Sequence, residues 1–313
     1  MAFTIASPDL NRIATVIAGD GGEVYRATSG RLIAGVRASD VGNGFVRIAD
    51  PVTNLTVEDI IVERIYRVIE NTAGAKGAMA GVVGLAVRRA QASGVRRGFA
   101  RIRYDSHDGV ISDVTADGVM TDAPEDLPVG IAFDDQARNF TIERCRMQGF
   151  QWRRAADQYW NGDGYSSERG NSGLLFRQCE AWDNSDAGFD LKSSATRLDD
   201  CVAGRNARNY RLWNSIALSR VTSIDPNKIG GIGDTNHLSL LGPKAGEPNL
   251  VTIDHLVIRA GQSWPIFDVY DGPVRIVVGS HDIQAPAGTP LVRLRSGGSV
   301  PDGIIWQSGA PNL

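Results

Sequence analysis

Seven segments of this chain share one short pattern: an apolar residue, two mostly polar residues, then an apolar residue or a cysteine. They are NLTVEDIIVERI (54–65), DGVISDVTADGV (108–119), NFTIERCRMQGF (139–150), SGLLFRQCEAWDN (172–184), ATRLDDCVAGRN (195–206), SIALSRVTSIDP (215–226) and LVTIDHLVIRAG (250–261). The paired positions are Val57/Ile60, Ile111/Val114, Ile142/Cys145, Phe176/Cys179, Leu198/Cys201, Leu218/Val221 and Ile253/Leu256. The tightest repeats, from Phe176 to Leu198 to Leu218, lie 20 to 22 residues apart. A unit that short cannot bury an apolar face alone and must stack on its neighbours. A strand–turn–strand–turn coil of this length is the unit of a parallel β-helix, whose coils repeat at the strand spacing of about 4.8 Å. A leucine-rich repeat has a similar period, but its regular Leu-x-x-Leu-x-Leu signature is absent. The expected fold is therefore all-β, a single-stranded parallel β-helix with coils of about 20–35 residues, the longer ones carrying inserted loops.

This frame organises the rest of the chain. Residues 1–50 read as an N-terminal cap or first coils, 54–261 as regular coils, and 262–313 as C-terminal coils and a tail, with no linker that demands a second domain. Residues 65 to 100 fit the repeat poorly and read as irregular coils or a short helix near 77 to 93. The 36 glycines exceed the usual share and imply many tight turns. Cys145, Cys179 and Cys201 all occupy the same position of the coil, so they are expected to stack inward as small hydrophobes. An odd cysteine count and the lack of a Cys-x-x-Cys or Cys–His cluster speak against a disulfide framework and against zinc.

A net charge of −3 gives no footing for a nucleic-acid partner. The most apolar stretch, 78 to 88, is too short to span a bilayer. The start, MAFTIASPDLNRI, lacks the basic end and apolar run of a signal peptide. Either the protein stays inside the cell, or it leaves by another route, or a leader has been removed.

Chemistry concentrates in residues 161–213. Carboxylates come first (Asp163, Glu168, Glu180, Asp183, Asp186, Asp190), then cations (Lys192, Arg205, Arg208, Arg211), with aromatics between them. On a β-helix, alternate side chains point outward and equivalent positions form surface columns. One column is expected to run Asp134, Asp163 or Ser166, Asp190, Arg211, Ser239. Clustered carboxylates raise one another's pKa or require a cation. Hard oxygen donors without Cys or His suit Ca²⁺, with Asp163, Asp183, Asp186 and Asp190 as candidate ligands. The plain structural alternative is that Asp-Asn-Ser-Asp and Asn-Gly-Asp-Gly are solvated turns. Tyr159, Trp160, Tyr165, Trp182 and Trp213 are candidate sugar-stacking rings, against burial beneath the 151–171 loop. Arg205 and Arg208 are candidate bidentate partners of substrate carboxylates, against surface ion pairs with the nearby aspartates.

Asn161-Gly162-Asp163-Gly164 followed by CEAWDNSDAGFDL (179–191) resembles the Ca²⁺ motif of the family 9 polysaccharide lyases, the pectate-lyase type built on a right-handed β-helix. The resemblance implies Asp163, Asp186 and Asp190 as aspartate ligands of Ca²⁺, with Ala187 standing where the family pairs a second aspartate. It places Arg211, in Asn209-Tyr210-Arg211-Leu212, where the family has its lysine base, and leaves Lys192 as an alternative. It implies β-elimination on a uronate-containing glycan: carboxylate neutralisation by Ca²⁺ or arginine, then removal of the C5 proton. The partner would be an acidic polysaccharide or oligosaccharide, and the location extracellular or periplasmic. Tyr104-Asp105-Ser106-His107-Asp108 resembles the Asp-Pro-His-Asp stretch of mannuronan C5-epimerases, with Ser106 replacing proline, which makes His107 a further catalytic candidate. The leading expectation is a polysaccharide lyase. The alternatives are a uronan C5-epimerase and a non-catalytic, carbohydrate-binding or tailspike-like β-helix. A hydrolase of the polygalacturonase type is disfavoured by the lack of a Gly-His-Gly motif.

Overall fold

The computed structural model describes residues 3–19, 23–42, 44–72 and 79–312. The chain is a parallel β-helix. Every pairing between its strands is parallel, and each strand bonds to its equivalents one coil before and one coil after. Three faces recur in each coil. A long strand such as Arg138–Gln148 forms the first two, bending midway at Arg144. A short strand forms the third, as in Val129–Phe133, Asp163–Ser167, Ala187–Leu191, Arg208–Leu212 and Asn236–Leu241. The third-face ladder runs without a break from Glu23–Arg26 to Val292–Leu294. Among the described residues no helix is long and apolar enough to cross a membrane.

The paired anchors fall on either side of the first corner. Val57, Val87, Ile111, Ile142, Phe176 and Leu198 stack in one inward column. Every anchor is at most 1% exposed. The three cysteines line up inward on the second face, free and buried. Each thiol donates to a carbonyl of the preceding coil: Cys145 to Ile111 at 3.4 Å, Cys179 to Ile142 at 3.3 Å, Cys201 to Phe176 at 3.5 Å.

The corners are made by single residues in the left-handed region. At the first corner Asp59, Arg89, Asp113, Arg144, Gln178 and Asp200 take φ of 49° to 55°. None is glycine, so each carries a steric cost that its neighbours must offset. Stacked corners put side chains on one line, and here the signs alternate. Arg89 bridges to Asp59 at 2.7 Å, and Arg144 to Asp113 at 2.8 Å. The second corner does the same, with Asp40 against Arg64 and Asp183 against Arg205. The N-terminal segment is laid along the first corner. Backbone N–H groups of Phe3, Ala6 and Asp9 donate to Glu180, Asp113 and Asp59. Gly35 lets it pass, because a Cβ there would lie 2.1 Å from the carbonyl oxygen of Arg12.

The expected helix near 77 to 93 is not found; residues 77 and 78 lie outside the described residues. Val82–Val83 and Ala86–Ile102 are strands, and Val87/Ala90 is a further anchor pair in register with Val57/Ile60. Left-handed residues at Arg89 and Gly94 each insert one residue into the two-residue alternation. The apolar spacing then drifts toward three to four and imitates a helix. Small inward residues (Ala90, Ala92, Ala100) weaken the signal further.

Under the third face, Phe189 stacks between Tyr165 (4.7 Å, 13°) and Tyr210 (5.3 Å, 7°), with Phe176 edge-on at 5.9 Å. Phe189→Ala should cost about 3–5 kcal/mol, read from urea unfolding, whereas Phe189→Leu should cost clearly less. The corner arginines hold the Asp59 carboxyl low, chiefly through the Arg89 hydrogen bond. At Asp113 the upward push of burial is the largest single effect, but the Arg144 hydrogen bond, the Ala6 N–H and the arginine charges together outweigh it. A lowered folded-state pKa adds stability that is fully present above the unfolded value of about 3.9 and is lost as pH falls through the folded value. The urea midpoint should therefore drop below about pH 4, and Asp59→Asn should flatten that drop.

Candidate functional site

The third face presents two outward rows. One runs Arg101, Ala132, Ser166, Asp190, Arg211, Ser239, Asp268. The neighbouring row contains Val129, Asp163, Ala187, Arg208 and Asn236. The expected column is thus present from Ser166 to Ser239. Ala132 stands where Asp134 was expected, and Asp134 lies two residues further on, past the strand end. Asp163 belongs to the adjacent row. A third line, just beyond the strands, holds Glu168, Lys192 and Trp213.

Three aspartates and three cations interlock here. Asp186 is 1% exposed and accepts hydrogen bonds from Arg208 and from the Tyr159 hydroxyl. Arg208 also donates to Tyr159 at 2.7 Å. Arg211 lies 3.6 Å from Asp186 and 3.7 Å from Asp190, and its guanidinium covers the Trp213 ring at 4.6 Å. Trp213 donates its indole N–H to Asp190. Lys192 bonds Glu168 at 2.7 Å and lies 3.8 Å from Asp190. Asp163 accepts from the Ala187 backbone N–H at 2.8 Å.

Burial dominates the electrostatics. It pushes the Asp163 carboxyl well up, and the neighbouring Asp186 and Asp190 charges push it further. Asp190 is also raised by burial, although Arg211 and Lys192 oppose the shift. Burial would lower the pKa of Arg208, Arg211 and Lys192, but the neighbouring acidic groups (the aspartates together with Tyr159 at the arginines and Glu168 at Lys192) outweigh it and hold all three cationic. Arg211 therefore supplies positive charge between Asp186 and Asp190. The Tyr159 hydroxyl is raised by burial and by Asp186.

The other candidates lie elsewhere. Asp183 and Arg205 pair with each other at the second corner, at 2.5 Å. Trp182 packs under Arg205 at 4.8 Å and donates to Glu180 at 2.9 Å. Tyr165 is wholly buried and bonds the carbonyls of Cys145 and Glu180, so its ring is core and not a sugar platform. Trp160 rests on Gly230 and Gly231, where any Cβ would strike the indole at 2.6 Å or closer. His107 stands past the next corner, paired to Asp108 at 2.9 Å, away from the aspartates.

The donor set does not fit Ca²⁺. Among the described residues no three His, Cys, Asp or Glu side chains converge as metal ligands. Ala187 offers no side-chain oxygen, and the Arg208 guanidinium already binds Asp186. Beside Asp163 and Asp190 opens a cleft of about 150 Å³, also lined by Lys192, Glu168, Asp134 and three arginines, Arg67, Arg97 and Arg101. Sequence reading missed those arginines because it found no repeat across residues 65–100. The Val87/Ala90 pair was the signal that would have placed them. It also missed a second ionic knot further along the face, where wholly buried Asp268 is bonded by Arg293, Arg295 and Asn236.

No protein-family model matches the chain, and no curated protein matches it. Among solved structures it is similar to "Crystal structure of pectate lyase Pel9A", at 10% identity and a TM-score of 0.44, over 87% of this chain and 72% of that one.

Arg208→Met should leave Asp186 buried without its closest cation. The expected cost is about 3–5 kcal/mol. Double replacement with Asp186→Asn should recover most of it in urea unfolding.

Proposed function

We propose that the chain binds an acidic glycan along the third face and cleaves it as a polysaccharide lyase, by β-elimination. The observation that carries this reading is the interleaving of buried aspartates with Arg211 and Lys192 at the edge of the cleft. A uronate carboxylate placed against Arg211 and Lys192 would be neutralised, and so would the enolate-like charge that develops when the C5 proton leaves. The ionised member of the Asp163–Asp190 pair accepts that proton. A carboxylate whose pKa is raised by burial is a stronger base than an exposed one. The C5–H electron pair becomes the C4–C5 double bond, the C4–O bond breaks, and the departing sugar oxygen takes a proton from solvent. No metal enters this sequence of steps.

A C5-epimerase would share the first proton transfer but return a proton to the opposite face of C5. A specific observation favours a second reading, that of a non-catalytic glycan-binding β-helix. Ala187 and the Arg208–Asp186 pair leave a site that is neutralised from within. Incubation with uronate polysaccharides decides among the three. A lyase forms ultraviolet-absorbing unsaturated ends, an epimerase changes the sugar configuration without cleavage, and a binder does neither.

For the lyase, Arg211→Ala should lower turnover about a hundredfold or more, and Arg211→Lys by less. Turnover unchanged in Arg211→Ala would remove Arg211 from the mechanism. The rate should rise with pH through a carboxyl pKa above the ordinary value of about 3.9, because the proton acceptor works only when ionised. Replacing both members of the pair, Asp163→Asn with Asp190→Asn, should abolish that rise, while chelator should leave the rate unchanged.

A further inference from the structure

The cleft has a second end that the elimination chemistry does not use. Arg67 is 4% exposed, yet its Nε has no hydrogen-bond partner. The Nε of Arg97 is likewise buried and unpartnered. Arg67 spends one terminal nitrogen on Glu70 at 2.7 Å, Arg97 donates to the Tyr66 hydroxyl, and Arg101 pairs with Asp134. Each of the three guanidiniums thus keeps one partner, while the Nε atoms of Arg67 and Arg97 keep none. Burial, together with the nearby Arg97 and Arg101 charges and against the pull of Glu70, pushes Arg67 down to about 10. A buried donor without an acceptor costs about 1–3 kcal/mol, more where it is charged. Two of them in one small opening describe a place built for an acceptor that arrives from outside.

We infer that Arg67, Arg97 and Arg101 form an anion subsite that takes a second acidic group, carboxylate or sulfate ester, of a glycan lying along the helix axis. Along the outward row Arg101 stands three coil steps before Asp190, through Ala132 and Ser166. At the strand spacing that is roughly 14 Å. The subsite therefore reads charge on a different sugar from the one held by Arg211 and Lys192. The cleft, at about 150 Å³, is smaller than the several hundred cubic ångströms of a drug-sized site, and suits one ring or one acidic group. Guanidiniums suit such groups because their planar fork makes two parallel bonds to a carboxylate or sulfate. The inference rests on the proposed glycan-binding groove but not on cleavage.

Calorimetric titration of the full chain tests it, with inorganic sulfate, a uronate trisaccharide and a sulfated neutral trisaccharide as probes. Sulfate should bind the wild type. It should bind Arg97→Ala at least tenfold more weakly, and Arg67→Met more weakly still. If Arg67→Met does not fold, the less deeply buried Arg97 decides the matter alone. Whichever trisaccharide loses more affinity in Arg97→Ala identifies the acidic group. No sulfate binding by the wild type, or equal binding by Arg97→Ala, overturns the subsite even if the protein cleaves uronan. Sulfate binding that depends on Arg97, without any cleavage product, leaves the subsite standing and removes the lyase.

Discussion

On a parallel β-helix every side chain meets its own equivalent about 4.8 Å above and below. That spacing is too close for like charges in a half-buried position and suits like apolar groups, so position in the coil rules residue type. Inside, the rule gives columns of one character: the aliphatic anchors, the three thiols, and the Tyr165–Phe189–Tyr210 stack. At the corners it gives alternation of sign, acid against base along both left-handed lines. The N-terminal segment exploits the same line, since the corner aspartates that bind arginines also accept its backbone N–H groups.

The third face obeys the rule under heavier burial, and its chemistry follows from that. Asp163, Asp186 and Asp190 arrive on two adjacent coils, and Arg208 and Arg211 on the next. The carboxylates are tolerable only because the cations stand one step away. In return the carboxylates keep the cations charged. This reciprocal arrangement does with side chains what a divalent ion does at oxygen-only sites. In the function proposed above, arginine and lysine neutralise, and a carboxyl with a raised pKa moves the proton. At the far end of the cleft the buried Nε donors of Arg67 and Arg97 have no acceptor. Such donors are what an external anion would satisfy.

Much of this was legible in the residues, and the misreadings have physical causes. The anchor pairs and the thiol column were legible because burial restricts each inward position to a few residue types. The Ala86–Ile102 strand was not, because corner residues shift the alternation and alanines blur it. Asp183 and Arg205 read as site residues because they neighbour the cluster in sequence. A single left-handed residue turns the chain at that point and sends both side chains along the corner instead. Tyr165 read as a sugar platform because nothing in a five-residue strand says which of two faces is inward. Packing settles it: the Tyr165 ring is enclosed by Phe176 and Phe189.

The sequence by itself determined the coil. The period, the apolar pairs and the turn residues admit one stacked arrangement, because a single coil has no core of its own. Tertiary structure decided the register between coils, and with it which charges touch. Arg208 against Asp186, Arg211 between two aspartates, and the Arg67 Nε without an acceptor all depend on the number of residues in each intervening loop. Loops vary in length without disturbing the apolar repeat, so the pattern that specifies the fold carries no record of which outward side chains will meet.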